Sequence, residues 1–74
     1  MNNKPMRIKA FWGVYGCRVH RAGKNLDCGH DTWNETAYRL LSQLEHEGYT
    51  GAVEFYGTHA EDLRAEFEKY KAIK

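Results

Sequence analysis

The sequence predicts a small α+β domain: a two-layer sandwich in the order βββαβα, with a small mixed sheet and both helices packed on one of its faces. Three observations predict it. Extended stretches with period-two alternation occur before residue 30 and again after residue 50. A Gly- and Asn-bearing turn separates two short extended runs. Two apolar stripes at helical spacing follow capping-box patterns.

The first strand is read from "RIKAFWGVYG". Ile8, Ala10, Trp12 and Val14 alternate with Lys9, Phe11 and Tyr15, which assigns the first set to the core and the second to the other face. "CRVHR" and "LDCGH" flank "AGKN", whose Gly and Asn tolerate the positive φ that hairpin turns need, and they are read as strands two and three. In Thr32-Trp33-Asn34-Glu35 the threonine is placed to cap a helix whose inner stripe is Trp33, Ala37, Leu40, Leu41 and Leu44, ending at Gly48. "AVEFY" is strand four. Thr58-His59-Ala60-Glu61 repeats the capping pattern ahead of a second helix with Ala60, Leu63, Phe67 and Tyr70 inside. A helix between strands three and four is the arrangement of a right-handed crossover, so strand four is expected to run parallel to strand three.

No linker, repeat or low-complexity stretch divides the 74 residues, which are read as one domain with residues 1–5 frayed. A chain this short buries only about 60% of the surface its unfolded form exposes, and a deep substrate cavity would consume its core, which disfavours an enzyme. The ten aromatic residues exceed the needs of that core, so some are expected at the surface. No apolar run reaches the ~18 residues of a membrane span and the start lacks a signal-peptide stretch, so a cytoplasmic location is expected. The net charge of +1 conceals a division. Residues 1–30 carry six cations against one anion, whereas residues 31–74 carry five against nine. Such polarity orients partners without identifying them.

"CRVHRAGKNLDCGH" places Cys17, His20, Cys28 and His30 within fourteen positions, the composition of a small zinc site. Pairing Arg21 with Leu26 across the turn puts Cys17, Val19, Cys28 and His30 on one face and His20 on the other. Parity therefore argues against a tetrahedral site and for two buried free cysteines. Cys17, Cys28 and His30 remain the candidate ligands, and no cofactor is expected. A Cys–His nucleophile pair would need an oxyanion donor and a cleft that the sequence does not suggest.

The strand residues facing away from the core are Lys9, Phe11, Tyr15, Arg18, His20, Glu54 and Tyr56, aromatics mixed with cations. Tyr, Phe, Trp and Arg are enriched in protein interfaces. Aromatic platforms with Lys and Arg also bind single-stranded nucleic acid, although no RNP-type sequence or GXXG loop is present. The expected function is a non-enzymatic protein-binding module using Lys9, Phe11, Tyr15, Arg18, His20 and Tyr56. Single-stranded nucleic-acid binding through the same face is the alternative. The format is that of small phage or mobile-element inhibitors of a host enzyme or defence complex. Acidic nucleic-acid mimicry by Glu61, Asp62, Glu66 and Glu68 on the second helix would be another route to such inhibition.

Overall fold

A computed structural model describes residues 5–14 and 16–73. Among them the order is β1 (Met6–Gly13), β2 (Gly16–Arg21), β3 (Lys24–Asn25), α1 (Trp33–Glu47), β4 (Val53–Tyr56) and α2 (Ala60–Ile73). The expected frayed ends and Tyr15 lie outside the described residues, Pro5 apart.

The strands form one mixed sheet in the order β3-β2-β1-β4. β1 and β2 pair antiparallel from Ile8↔Arg21 to Gly13↔Gly16, and β4 pairs parallel with β1 from Met6↔Val53 to Lys9↔Tyr56. Strand four thus has the direction of β3, as expected, but lies at the opposite edge, beside β1. The two helices cover one face, where Ile8, Ala10, Val19, Cys28, Ala37, Leu40, Leu41, Leu44, Leu63 and Phe67 form the core. Phe55 meets Phe67 edge-on at 5.2 Å and ties β4 to α2.

Local chemistry explains the element ends. Thr32 caps α1, its Oγ1 accepting the Glu35 N–H at 3.1 Å, while Glu35 turns outward to Arg39 instead of reaching back to the cap. Gly48 adopts φ 77° and closes α1 with its N–H on the Glu45 carbonyl. α2 starts one residue later than a Thr58 cap would place it. His59 is the residue before the helix, its carbonyl accepting the Leu63 N–H at 3.2 Å. The chain reaches that point through Gly57, at φ 106°, where a Cβ would stand 2.5 Å from the Ala10 carbonyl oxygen. Glycine is required there for both conformation and close approach.

Two further expectations need correction. The third strand is not "LDCGH" but Lys24–Asn25, because Ala22 (φ 54°) and Gly23 (φ 78°) make a two-residue turn that pairs Arg21 with Lys24. Asp27 and Cys28 then form a turn, and this takes up two residues, so that the Cys17 N–H donates to the His30 carbonyl at 2.8 Å. A shift of two preserves parity, and Cys17, Val19 and Cys28 are buried together. Trp12 and Val14 are not core residues. They are 57% and 91% exposed, Trp12 because it stands at the end of β1 against the starts of both helices, Val14 because it sits in the turn after β1.

Candidate functional site

The helix-free face of the sheet is built by strand register. Odd-numbered residues of β1 point to it, and pairing sets Arg7 beside Glu54, Lys9 between His20 and Tyr56, and Phe11 opposite Arg18. The Arg7 Nε contacts Glu54 Oε1 at 3.1 Å, and its guanidinium carbon lies 4.3 Å from the centre of the Tyr56 ring. Lys9 Nζ lies 5.6 Å from the centre of the Phe11 ring, and Phe11 meets His20 edge-on at 4.7 Å. Arg18 lies along Gly13, where a Cβ would fall 2.5 Å from its Cγ, and reaches Gly29 with Nη1. The structure thus brings together Lys9, Phe11, Arg18, His20 and Tyr56; Tyr15 lies outside the described residues. Phe11, Arg18, His20 and Tyr56 are half-buried and Lys9 is exposed.

The cysteine and histidine cluster is split between two sides of the sheet. His20 is on the helix-free face with Phe11, while Cys17 and Cys28 lie under the helices. Burial raises the Cys17 thiol above its ordinary range, with the Thr36 hydroxyl opposing, and pushes the Cys28 thiol up to about 11, with Asp27 and Glu47 adding to the effect. Cys28 Sγ donates to Gln43 Oε1 at 2.8 Å. His30 holds the β2 edge through its carbonyl, and its Nδ1 is buried without a hydrogen-bond partner. Among the described residues no group of three or more His, Cys, Asp or Glu is placed to hold a metal ion.

The acidic residues of α2 are largely engaged locally. Glu61 pairs with Arg64, Asp62 with His59 at 3.1 Å, and Glu66 with Lys69 at 3.3 Å and with Asn34 Nδ2 at 2.9 Å. The Asn34 bond first and Lys69 second hold the Glu66 carboxyl below its usual range. A cleft of about 270 Å³ lies at the far ends of the helices, with Leu41, Leu44, Tyr49, Val53 and Phe67 inside and Glu45 and Lys71 among its lining.

One aromatic cluster has no periodic signal in the sequence. Trp12, Trp33 and His59 pack together at the end of the sheet where both helices begin, with centroid separations of 5.4 to 6.4 Å. Alternation assigned Trp12 to the core, and its face is right. The surplus of aromatics over core positions was the signal that one such residue would emerge.

No described helix is long and apolar enough to cross a membrane. Comparison with protein families, characterised proteins and solved structures finds no match.

Proposed function

We propose that the chain is a non-enzymatic protein-binding module of the small inhibitory kind, acting in the cytoplasm and engaging its partner through the helix-free face of the sheet. The observation that carries this reading is that the exposed ring faces there are covered by the chain's own cations, Arg7 over Tyr56 and Lys9 over Phe11. Such a surface offers Arg7, Tyr56 and Phe11 on rigid strands, residue types enriched in protein interfaces, with Lys9 suited to their polar rim. Base stacking would first have to displace Arg7 and Lys9 from the rings, and Glu54 would stand among the phosphates. A non-enzymatic role accords with thiols that are buried and held protonated, the opposite of an activated nucleophile.

Nucleic acid is the second reading, favoured by Arg7, Lys9 and Arg18 sharing this face with Phe11 and Tyr56. One experiment separates the two. The tagged chain and a Phe11→Ala, Tyr56→Ala double variant are used to capture partners from lysate with and without nuclease, followed by mass spectrometry. A protein retained after nuclease by the parent and lost by the double variant supports the proposal. Capture abolished by nuclease, or binding of a labelled oligonucleotide that falls steeply with salt, favours nucleic acid. Capture untouched by the double variant removes this face from consideration and turns attention to Glu61, Asp62, Glu66 and Glu68.

A further inference from the structure

The cluster at the other end of the sheet has the same ring chemistry in the reverse electrostatic setting. Trp12 lies directly opposite Cys17, on the helix-covered side of the sheet but past the helix starts, and is 57% exposed. Its indole rests on Trp33, the first residue of α1 (6.4 Å, 59°), and on His59 (6.0 Å, 52°), while Trp33 and His59 stack at 5.4 Å and 29°. His59 is fixed on both sides of its Cα: its N–H donates to the Ala10 carbonyl at 3.3 Å and Nδ1 meets Asp62 Oδ2 at 3.1 Å. The three rings touch one another at ordinary packing separations, so they form an outward-facing platform rather than a cage.

Carboxylates flank it. Asp62 is held beside His59. Asp31 lies on the hairpin side, its backbone Cα 3.4 Å from where a Cβ on Gly16 would stand, and with Asp62 it is near enough to Cys17, the residue opposite Trp12, to add to the larger effect of burial on that thiol. Among the described residues no Lys or Arg lies over Trp12 or Trp33, in contrast to Tyr56 and Phe11. Arg18, near the same end, runs along Gly13 on the helix-free face. Indole is the strongest side-chain acceptor for a cation, and nearby carboxylates add to its pull.

We infer that the Trp12 platform docks an arginine or lysine side chain of a protein partner, with the cation over the indole and Asp31 and Asp62 as counter-charges. Val14, 91% exposed on the adjoining turn, receives an apolar neighbour of that cation. This surface is separate from the sheet face of the proposed function, and either can fail without the other.

The test pans a random linear peptide library against the immobilised full chain. The expected result is enrichment of peptides in which Arg or Lys adjoins an apolar residue. A synthetic peptide of that consensus should weaken about tenfold when its arginine is replaced by citrulline. It should weaken comparably on Trp12→Ala and on an Asp31→Asn, Asp62→Asn double variant, which leaves the rings in place should Trp12→Ala fail to fold. Binding should survive Phe11→Ala, Tyr56→Ala. The inference is overturned by no enrichment, by enriched peptides that are acidic or uncharged, or by binding indifferent to the Trp12 and Asp31/Asp62 variants. Cationic peptides that respond only to the Phe11/Tyr56 variant would place recognition on the sheet face, sparing the proposed function while overturning this inference.

Discussion

The helix-free sheet face and the Trp12 end both present aromatic rings, yet one set is covered by cations and the other is bordered by carboxylates. The difference follows from the elements that build them. On the sheet face, period-two alternation along β1 lines up Arg7, Lys9 and Phe11, and the parallel partner adds Tyr56 beside Lys9, so each ring finds a cation among its strand neighbours. At the Trp12 end the rings come from three distant segments gathered where two helices start. First turns favour acidic residues because of the helix dipole, and Glu35, Glu61 and Asp62 occupy them. Strand alternation made one surface basic; helix starts made the other acidic.

One cooperative unit carries both surfaces, and the largest expected effect tests that. Phe67→Ala, in the core between sheet and helices, should cost about 3 to 5 kcal/mol. Both tryptophans sit at one end of the molecule, so their fluorescence reports that end while far-UV circular dichroism reports the whole. Denaturant midpoints that fall together support a single unit, and separated midpoints would show that the two surfaces unfold apart. Leu41→Ala, which lines the cleft and is slightly exposed, should cost less, about 2 kcal/mol, read from the same midpoints.

Gly57 joins the surfaces, with Tyr56 on one side of it in sequence and His59 on the other. Gly57→Ala should destabilise by about 2 to 3 kcal/mol, since its φ of 106° and the nearby Ala10 carbonyl both exclude a Cβ. An unchanged thermal midpoint would show that the turn relaxes freely and that the two surfaces are mechanically independent.

Alkaline pH probes the buried thiols under both surfaces. The folded chain keeps the Cys28 proton up to about 11, whereas an unfolded thiol loses it near its ordinary value of 9.0. Between those values the folded state binds the extra proton, so this contribution is intact below pH 9 and declines as pH rises to 11, by up to about 2 kcal/mol. Denaturant titrations of the parent and Cys28→Ala over that range should converge as pH rises; parallel curves would contradict the assignment. The smallest effect is expected from Arg7→Gln. Its pair with Glu54 is more than half exposed on both sides, so stability should change by less than about 1 kcal/mol. A larger loss would mean that the cation over Tyr56 supports the sheet as well as covering the ring.

How much of this was legible in the sequence depends on whether a residue's surroundings are local. Alternation identified the shared face of Ile8 and Ala10, and helical spacing identified Leu40, Leu44, Leu63 and Phe67, because each signal repeats within one element. Parity buried Cys17 and Cys28 correctly even though the pairing near the turn was two residues off, since an even shift leaves the face unchanged. Trp12 has the face of a core residue, but whether a helix covers that face depends on where α1 and α2 begin in space. No periodicity within β1 encodes that. The same holds for His59, whose place before α2 follows from the close approach of Gly57 to Ala10. On the sheet face, the residues to be gathered were readable from the strands, whereas the cation positions over the rings needed the β1–β4 register.

The order β3-β2-β1-β4 leaves the two shortest strands, of two and four residues, on the outside. A sheet edge is where another chain adds a strand or where amyloid-like stacking begins, and both require a run of unpaired backbone groups. β3 gives way after Asn25 to the turn at Asp27 and Cys28, and β4 stops at Tyr56, ahead of Gly57. Within the eight-residue "MRIKAFWG", residues 8–13 pair with β2 and residues 6–9 with β4, and the Ala10 carbonyl beyond the β4 register is taken by the His59 N–H. The middle of this segment is therefore closed on both sides, and its continuous edge becomes available to another chain only when the sheet itself opens.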